Sequence, residues 1–289
     1  MPAPTFDLQS HSTHSDGALS PAAVVRAAAA AGVELLALSD HDTAVGVSEA
    51  SAVAVASGIE LVAATEMTAI YAGQQDLHVL GYLVDPLEPT LSQALERSRS
   101  DREVRAQAMA SALSRLGFEL DTGALARRGA GGGAVGRPHL AQAVVGVPAN
   151  RERLADEGLL DPTDFLRAYL IEGCPAFCPR AAPTVEEAIG LIHSAGGLAV
   201  WAHPFWDIAE PQAVLAAVDS FRAAGLDGVE AFYVTHSREQ TELLVRRCLE
   251  LGLLSTGSSD FHGPEHHMFS RFRAFETYGL TPALGPLAG

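Results

Sequence analysis

No lysine occurs in the chain: all 19 of its basic residues are arginine, against 35 Asp and Glu. The resulting formal net charge of −16 repels a long polyanion unless a local basic patch overrides it, which argues against long nucleic acid as a partner. Cysteine is equally scarce. Cys174, Cys178 and Cys248 make an odd, low count that suits a reducing compartment. Cys174 and Cys178 frame Pro175-Ala176-Phe177, and without a second pair at similar spacing they read as buried thiols rather than zinc ligands. Apolar stretches such as Ala27 to Ala31 and Ala52 to Ala56 are soon broken by polar residues or glycine, so no membrane span is expected. The N-terminus lacks a basic region followed by an apolar run, and a cytoplasmic protein is expected. There is no Walker-type glycine loop, which argues against nucleoside triphosphate turnover. There is no Gly-x-Ser-x-Gly elbow either, which argues against a serine hydrolase.

What is present is enough for a sizeable core. Apolar residues make up 48% of 289 positions, sufficient for one large α/β domain or a barrel with a modest insertion. The first ninety residues alternate short apolar runs with helical ones. Strands are expected at Thr5 to Gln9, Val33 to Ser39, Ile59 to Ala64 and Leu77 to Leu83. A helix opens at Ser20-Pro21 and closes at Gly32, and another runs from Ala44 to Gly58. Strands spaced by helices of this length imply parallel pairing with crossovers. After Asp85-Pro86 the pattern becomes helical: Thr90 to Leu116 is long and polar, and the glycine-rich stretch Gly129 to Gly136 reads as a loop. The alternation resumes at Thr184, which opens a capping box with Glu187. Strands follow at Leu198 to Ala202, Gly228 to Tyr233 and Leu253 to Thr256, with a helix at Pro211 to Ala224 and another capped by Ser237. The expected organisation is a barrel split into residues 1–87 and 184–280, a helical insertion at 88–183, and a tail at 281–289. Arginine concentrates in the insertion. It reads either as a solvated helix face with Arg–Glu pairs or, at one or two positions, as a grip on an anionic substrate.

Residues of metal-ligand type fall at the strand ends. His11, His14 and Asp16 follow the first expected strand, and Asp40-His41-Asp42 the second. Glu66 ends the third and His78 lies in the fourth. His203-Pro204 follows the fifth, Glu230 lies in the sixth, and Asp260-Phe261-His262 closes the seventh. Any one of these residues alone reads as a hydrogen-bonded structural group or a helix cap. In a parallel barrel, however, all the strand C-termini face one end, and the side chains converge. Imidazole with carboxylate suits manganese, zinc or iron rather than calcium. The donors outnumber what one ion needs, so two or three divalent ions are expected, with Glu66 between two of them. Such a centre generates hydroxide near neutral pH and neutralises phosphoryl oxygens, which is phosphoester hydrolysis.

At these positions the chain resembles the PHP (polymerase and histidinol phosphatase) family. The resemblance is carried by Asp7-Leu8-Gln9-Ser10-His11-Ser12 with Ser15-Asp16-Gly17, and by Ser39-Asp40-His41-Asp42-Thr43. It continues through Thr65-Glu66, Leu77-His78-Val79-Leu80-Gly81-Tyr82, Ala202-His203-Pro204 and Gly257-Ser258-Ser259-Asp260-Phe261-His262. It implies a distorted seven-stranded (β/α)7 barrel with an inserted helical domain. It further implies a trinuclear site: one ion on His11, Glu66 and Asp260, a second sharing Glu66 with His78 and His203, and a third on Asp16, His41 and His262. Asp16, His41, Glu66 and Asp260 are accordingly expected to be catalytic. The branch it most resembles removes the 3′-phosphate of nucleoside 3′,5′-bisphosphates or degrades short oligonucleotides, so the expected partner is a small phosphorylated substrate. Histidinol-phosphate phosphatase is a second reading. A metal- or nucleotide-binding protein without turnover is a third, supported by one departure: Gln9 stands where the family usually has histidine. Its neutral carbonyl is a weaker ligand, and His14 is a candidate to compensate or to touch substrate. Gly136-Arg137-Pro138-His139 resembles a segment carrying substrate-phosphate contacts, with a solvent-facing helix N-terminus as its plainer reading. His236 is a further candidate phosphate contact.

Overall fold

A computed structural model of the chain describes residues 5–130 and 135–288. The chain divides into two compact units, residues 1–96 with 183–289 and residues 97–182.

The first unit is built on seven strands: β1 (Phe6–Asp7), β2 (Leu35–Leu38), β3 (Glu60–Tyr71), β4 (Gln74–Tyr82), β5 (Leu198–Trp201), β6 (Gly228–Tyr233) and β7 (Leu254–Ser258). They lie side by side in sequence order. The chain just beyond β1 then meets the end of β7 and the chain that follows it, with Leu8 N–H on Gly257 O at 3.2 Å and His11 N–H on Phe261 O at 2.8 Å. The sheet thus nearly closes into a barrel, leaving little open edge. Helices α1 (Pro21–Ala30) and α2 (Gly46–Ala54) cover one stretch of it. Ser20 caps α1, and Gly58 ends the turn after α2 in the left-handed conformation. Trp201, Tyr82, Phe221 and Phe232 are fully buried in the main core. Each such side chain contributes about 1.5–3 kcal/mol by leaving water.

The pairing is not uniformly parallel. β3–β4 and β4–β5 are antiparallel, while β1–β2, β2–β3, β5–β6 and β6–β7 are parallel. Tyr71 pairs with Gln74, so only Ala72 and Gly73 connect β3 to β4, both at positive φ of 50° and 83°. That is a primed hairpin turn, and two residues cannot carry the crossover a parallel pair requires. β3 is consequently much longer than expected: Glu66 lies mid-strand, and the chain runs on past it to Tyr71.

The second unit is helical. α3 (Pro89–Arg115) runs into it from the first, followed by α4 (Thr122–Ala130), α5 (Arg137–Val145), α6 (Arg151–Glu157) and α7 (Pro162–Tyr169). Gly129 belongs to the end of α4 rather than to a loop, and residues 131–134 of the expected loop lie outside the described residues. Met109, Leu113, Phe118, Leu140, Val144, Leu154 and Phe165 form its core. Asn150 is the polar pin: its amide donates to Glu119 O at 2.7 Å and Val144 O at 2.8 Å and accepts from Glu119 N–H. Arg153 pairs with Glu157 at 2.8 Å and lies over the Phe118 ring. Cys174 and Cys178 are only half-buried, unlike Cys248, and all are free thiols. No helix among the described residues is long and apolar enough to cross a membrane. After the second unit, α8 (Val185–Ser194) begins at the expected Thr184–Glu187 capping box. It is followed by α9 (Pro204–Asp207), α10 (Pro211–Ala223) and α11 (Arg238–Leu251).

One bulge shapes the inside of the barrel. Glu230 pairs with Thr256 and Phe232 with Gly257, leaving Ala231 unpaired. A bulge of this kind re-aims a side chain. The tight approach requires glycine at 257, since a Cβ there would meet Phe232 Cβ at 2.6 Å and Phe232 O at 2.8 Å. Gly257→Ala should therefore cost about 1–3 kcal/mol by overpacking, read as a lower urea midpoint for the metal-free protein. An unchanged midpoint would show that the bulge relaxes freely.

Candidate metal centre

Each donor is delivered by a separate local device. Behind β1 the chain turns sharply from Ser12 to Gly17. Asp40, almost wholly buried, holds that turn: its carboxylate accepts from Ser12 N–H at 2.7 Å, Ser12 Oγ at 2.6 Å and Ser15 Oγ at 2.6 Å. Gly17 is required because a Cβ would lie 2.2 Å from His11 O. The turn presents His11 and Asp16 together. Behind β2, Asp42 takes a left-handed φ of 53° and fixes itself by accepting from Thr68 N–H and Thr68 Oγ. This places His41 in a bridge beside Glu66. His78 lies directly across from Thr68 in the antiparallel β3–β4 pair.

The other half repeats the strategy. His203 follows β5 at φ 30°, and Asp260 follows β7 at φ 52°. Left-handed backbone at such residues costs about 1–3 kcal/mol each and persists only where neighbours enforce it. Glu230, re-aimed by the bulge, accepts from His203 N–H at 2.9 Å and Ser258 Oγ at 2.5 Å. Tyr233 donates its hydroxyl to Asp260 Oδ2 at 2.8 Å. Asp7 accepts from Ser259 N–H, Ser259 Oγ and Arg273 N–H. His262 Nδ1 lies 2.6 Å from Asp260 O, which directs its Nε2 toward Asp16 Oδ1 at 3.3 Å.

The donors converge. His11 Nε2 is 3.1 Å from Glu66 Oε2 and 3.0 Å from Asp260 Oδ1. His78 Nδ1 and His203 Nε2 lie 2.8 and 3.2 Å from the other Glu66 oxygen and 3.3 Å from each other. His41 Nε2 is 3.6 Å from Asp16 Oδ2, and His41 Nδ1 is 3.3 Å from Glu66 Oε2. Donors that sit 2.0–2.2 Å from one ion lie roughly 3.0–3.5 Å apart at octahedral or tetrahedral angles. The observed spacings match those polyhedron edges. Among the described residues, three clusters have donor atoms within 4.8 Å of one another: His11–Asp16–His41–His262, His41–Glu66–His78 and His11–Glu66–Asp260. His11 Nε2, Asp16 Oδ1, His41 Nδ1, Glu66 Oε2 and Asp260 Oδ1 are buried with no directed hydrogen bond. Native interiors rarely tolerate so many such atoms in one place, and a divalent cation is the ligand that fits them.

The electrostatics agree. Burial works to raise the Glu66 and Asp16 carboxyls, but His41 and its neighbours hold both well below the usual range. Burial would lower His11 and His203, yet their carboxylate contacts lift His11 well above its ordinary value and His203 to about 10. His41 goes the other way, pushed down to about 3 by burial. Burial, helped by the nearby Asp260 carboxylate, raises Glu230 to about 8 against the opposing pull of His203. Without cations the cluster needs protons to balance its carboxylates, so metal loading must release protons.

His11, Asp16, His41, Glu66, His78, His203, Asp260 and His262 are thus drawn together. Gln9 is fully buried. Its Oε1 lies 3.4 Å from Ser258 Oγ, a hydroxyl whose proton is already directed at Glu230, and its Nε2 has no partner. His14 and His236 fall outside the three clusters. His236 is buried with Nδ1 on Ala231 O at 3.1 Å, and burial holds it near 4, hence neutral. Arg137 and His139 lie at the first turn of α5, where His139 Nδ1 accepts from Gly136 N–H at 3.0 Å. Glu230 serves the backbone of His203 rather than joining the donor clusters. Asp7, Tyr233 and the turn-holding role of Asp40 were not foreseen. The available signal was a charged residue, Asp7 or Asp40, within or abutting an otherwise apolar strand.

Similarity to known proteins agrees with this geometry. The PHP domain family matches residues 7–119. A 5′-3′ exoribonuclease of Haemophilus influenzae is 34% identical over 260 residues, covering 90% of each chain. A 3′,5′-nucleoside bisphosphate phosphatase of Chromobacterium violaceum is 34% identical over 261 residues, covering 90% of this chain and 87% of that protein. A crystal structure from Bifidobacterium adolescentis, described as a metal-dependent phosphoesterase, superposes with a TM-score of 0.78 at 28% identity, covering 92% of this chain and 91% of that one.

Glu230 offers a direct test of the strained backbone. Glu230→Ala leaves the His203 N–H and the Ser258 hydroxyl without their acceptor, and should cost about 1–3 kcal/mol in urea unfolding of the metal-free protein. Glu230→Gln retains a carbonyl acceptor and should recover most of that loss. Equal losses in both variants would mean that charge, not acceptor geometry, holds His203. Sequence relatives covering most of the chain, a matching fold and a convergent His/Asp/Glu centre together place this protein in the PHP family.

Proposed function

We propose that the chain hydrolyses a phosphate monoester of a small nucleotide-like substrate, such as a nucleoside 3′,5′-bisphosphate, or short oligonucleotides. The observation carrying this reading is the convergence of His11, Asp16, His41, Glu66, His78, His203, Asp260 and His262 at polyhedron-edge spacing. Two or three divalent cations fit the donors, with manganese, zinc and iron the suitable elements. Glu66 would share its two oxygens between ions. His11 and Asp260 would complete one site, His78 and His203 a second, and Asp16, His41 and His262 a third.

Bound there, the cations supply a water acidic enough to react near neutral pH and neutralise the phosphoryl oxygens. The chain's own residues keep the donors in place. Tyr233 orients Asp260, Asp40 orients the turn bearing His11 and Asp16, and Glu230 fixes His203. The names of the Haemophilus and Chromobacterium relatives support the nucleotide class. In the same reading Arg137, whose guanidinium suits a bidentate grip on phosphate, would bind the phosphate that is not cleaved, with His139 and His236 as further phosphate contacts and His14 as a candidate contact.

The purified protein should carry two or three transition-metal ions per chain after manganese supplementation. Chelation should abolish hydrolysis of a phosphate-ester panel, and Glu66→Gln should lower both metal content and rate. Less than about one ion per chain by elemental analysis would overturn the reading.

Gln9 gives a finer test. Its amide can turn so that the nitrogen donates to Ser258 Oγ and the oxygen takes the position now lacking a partner. That oxygen would then be a neutral fourth donor to the ion on His11, Glu66 and Asp260, and this ion should be the first lost on dilution. Gln9→His should tighten this site alone in a metal titration of apo-protein. If every affinity is unchanged, Gln9 lies outside the coordination shell.

A further inference from the structure

The cluster accounts for phosphate but says nothing of what holds the rest of a substrate. One feature beside it has no role in holding the donors. Trp206 lies three residues beyond His203, and its backbone N–H donates to His203 O at 2.8 Å. Trp206 is 50% exposed, the one exposed Trp, Tyr or Phe among the described residues. Burying such a ring against water is favourable and leaving it open is not, so an uncovered tryptophan beside a cluster of catalytic type marks a surface meant to be covered.

Trp206 is not isolated. Its ring packs at 5.9 Å from Phe269, and Phe269 lies 5.5 Å from His262 and 6.0 Å from Tyr233. His266 stacks on Phe269 at 5.2 Å with an interplanar angle of 25°. The His266 ring is locked in place because its Nδ1 accepts from Met268 N–H at 3.2 Å and Phe269 N–H at 3.0 Å. Phe269 itself is buried. An aromatic wall therefore runs outward from His262, in the donor cluster, through Phe269 to Trp206 in solvent. It is two ring-to-ring steps long, and its inner members are fixed by packing and backbone hydrogen bonds.

We propose that Trp206, backed by Phe269 and His266, is the face on which the nucleobase of the substrate stacks while its phosphate reaches the metal cluster. A flat aromatic face accepts any base, because every base offers a π surface and no hydrogen-bond code is imposed. The wall thus selects for the presence of a base rather than for its identity. This inference rests on the phosphoester-hydrolase reading above and adds to it the group that confers preference for nucleotides over other phosphate esters.

The test compares manganese-loaded wild type with Trp206→Ala, Trp206→Leu and Trp206→Phe on two substrates, adenosine 3′,5′-bisphosphate and a base-free ribose phosphate. Wild type should favour the base-bearing ester. Trp206→Ala and Trp206→Leu should cut that preference about tenfold, within the range seen when a stacked aromatic is removed, through KM rather than kcat. Trp206→Phe should restore most of it. Because Trp201 is fully buried, mixing with the bisphosphate should quench a Trp206 emission that Trp206→Phe lacks. Equal loss on both substrates, or rescue by Leu as complete as by Phe, would overturn the stacking face while leaving the hydrolase reading intact. Wild type inactive on both esters, despite bound metal, would overturn both.

Discussion

The mouth of the barrel is organised around one carboxylate that has no access to water. Glu66 is completely buried, and the imidazoles of His11, His41, His78 and His203 all lie within 3.3 Å of its oxygens. An isolated buried carboxylate is too costly to remain ionised, so something positive must always accompany it. In the metal-free chain that role falls to protons on His11 and His203, and in the loaded chain it passes to cations. The geometry of β3 follows from this demand. Glu66 must stand deep in the barrel with rings on several sides. A long β3 that doubles back as β4 supplies His78 from the facing strand, where a crossover helix would have carried the chain away.

Around that carboxylate, the strain is placed where the donors leave their strands. Asp42, His203 and Asp260 all adopt left-handed backbone, and each has a dedicated partner: Thr68, Glu230 and Tyr233. Such hydrogen bonds contribute little net stability each, but leaving a buried partner unmade costs more than making it gains. They therefore act less as glue than as a filter on conformations, admitting only the backbone that points the donors inward. Asp40 does the same for a whole turn by holding three donors at once.

The convergence itself was legible in the sequence, because apolar runs of strand length were repeatedly followed by His, Asp or Glu. Helix ends were legible for local reasons: Ser20-Pro21, the Thr184–Glu187 box and the Ser237–Gln240 box make their contacts within three residues. The direction of β4 was not. Ala72-Gly73 is a poor turn signal, because alanine rarely takes a φ of 50°. A wholly parallel set would also bring His78 to the mouth, but it reaches the cluster from an antiparallel strand. The support of the donors was also hidden. Asp7 meets Ser259 and Arg273, and Glu230 meets His203 and Ser258, across separations of 27 to 266 residues. No local pattern encodes such partners. For Glu230 the sequence pointed to a residue of ligand type, and only the bulge at Ala231 decides that it serves the backbone instead.

The absence of lysine and the net charge of −16 take on a different meaning beside this centre. An acidic chain repels phosphate at long range, and cations in a recessed cluster can reverse that only nearby, since fields are screened within about 8 Å at physiological ionic strength. A phosphate must come close to the mouth before it is attracted, and a long polyanion would keep most of its charge over the repelling surface. In the proposed function this repulsion works against a long substrate. Beyond the pull of the cations on phosphate, further attraction can come from a contact that charge repulsion does not weaken. An open aromatic face such as Trp206 has that property, because stacking on an uncharged ring depends little on the net charge of either partner. In that proposal charge would disfavour long substrates, the metal cluster would select the bond that is broken, and the ring would favour substrates that carry a base.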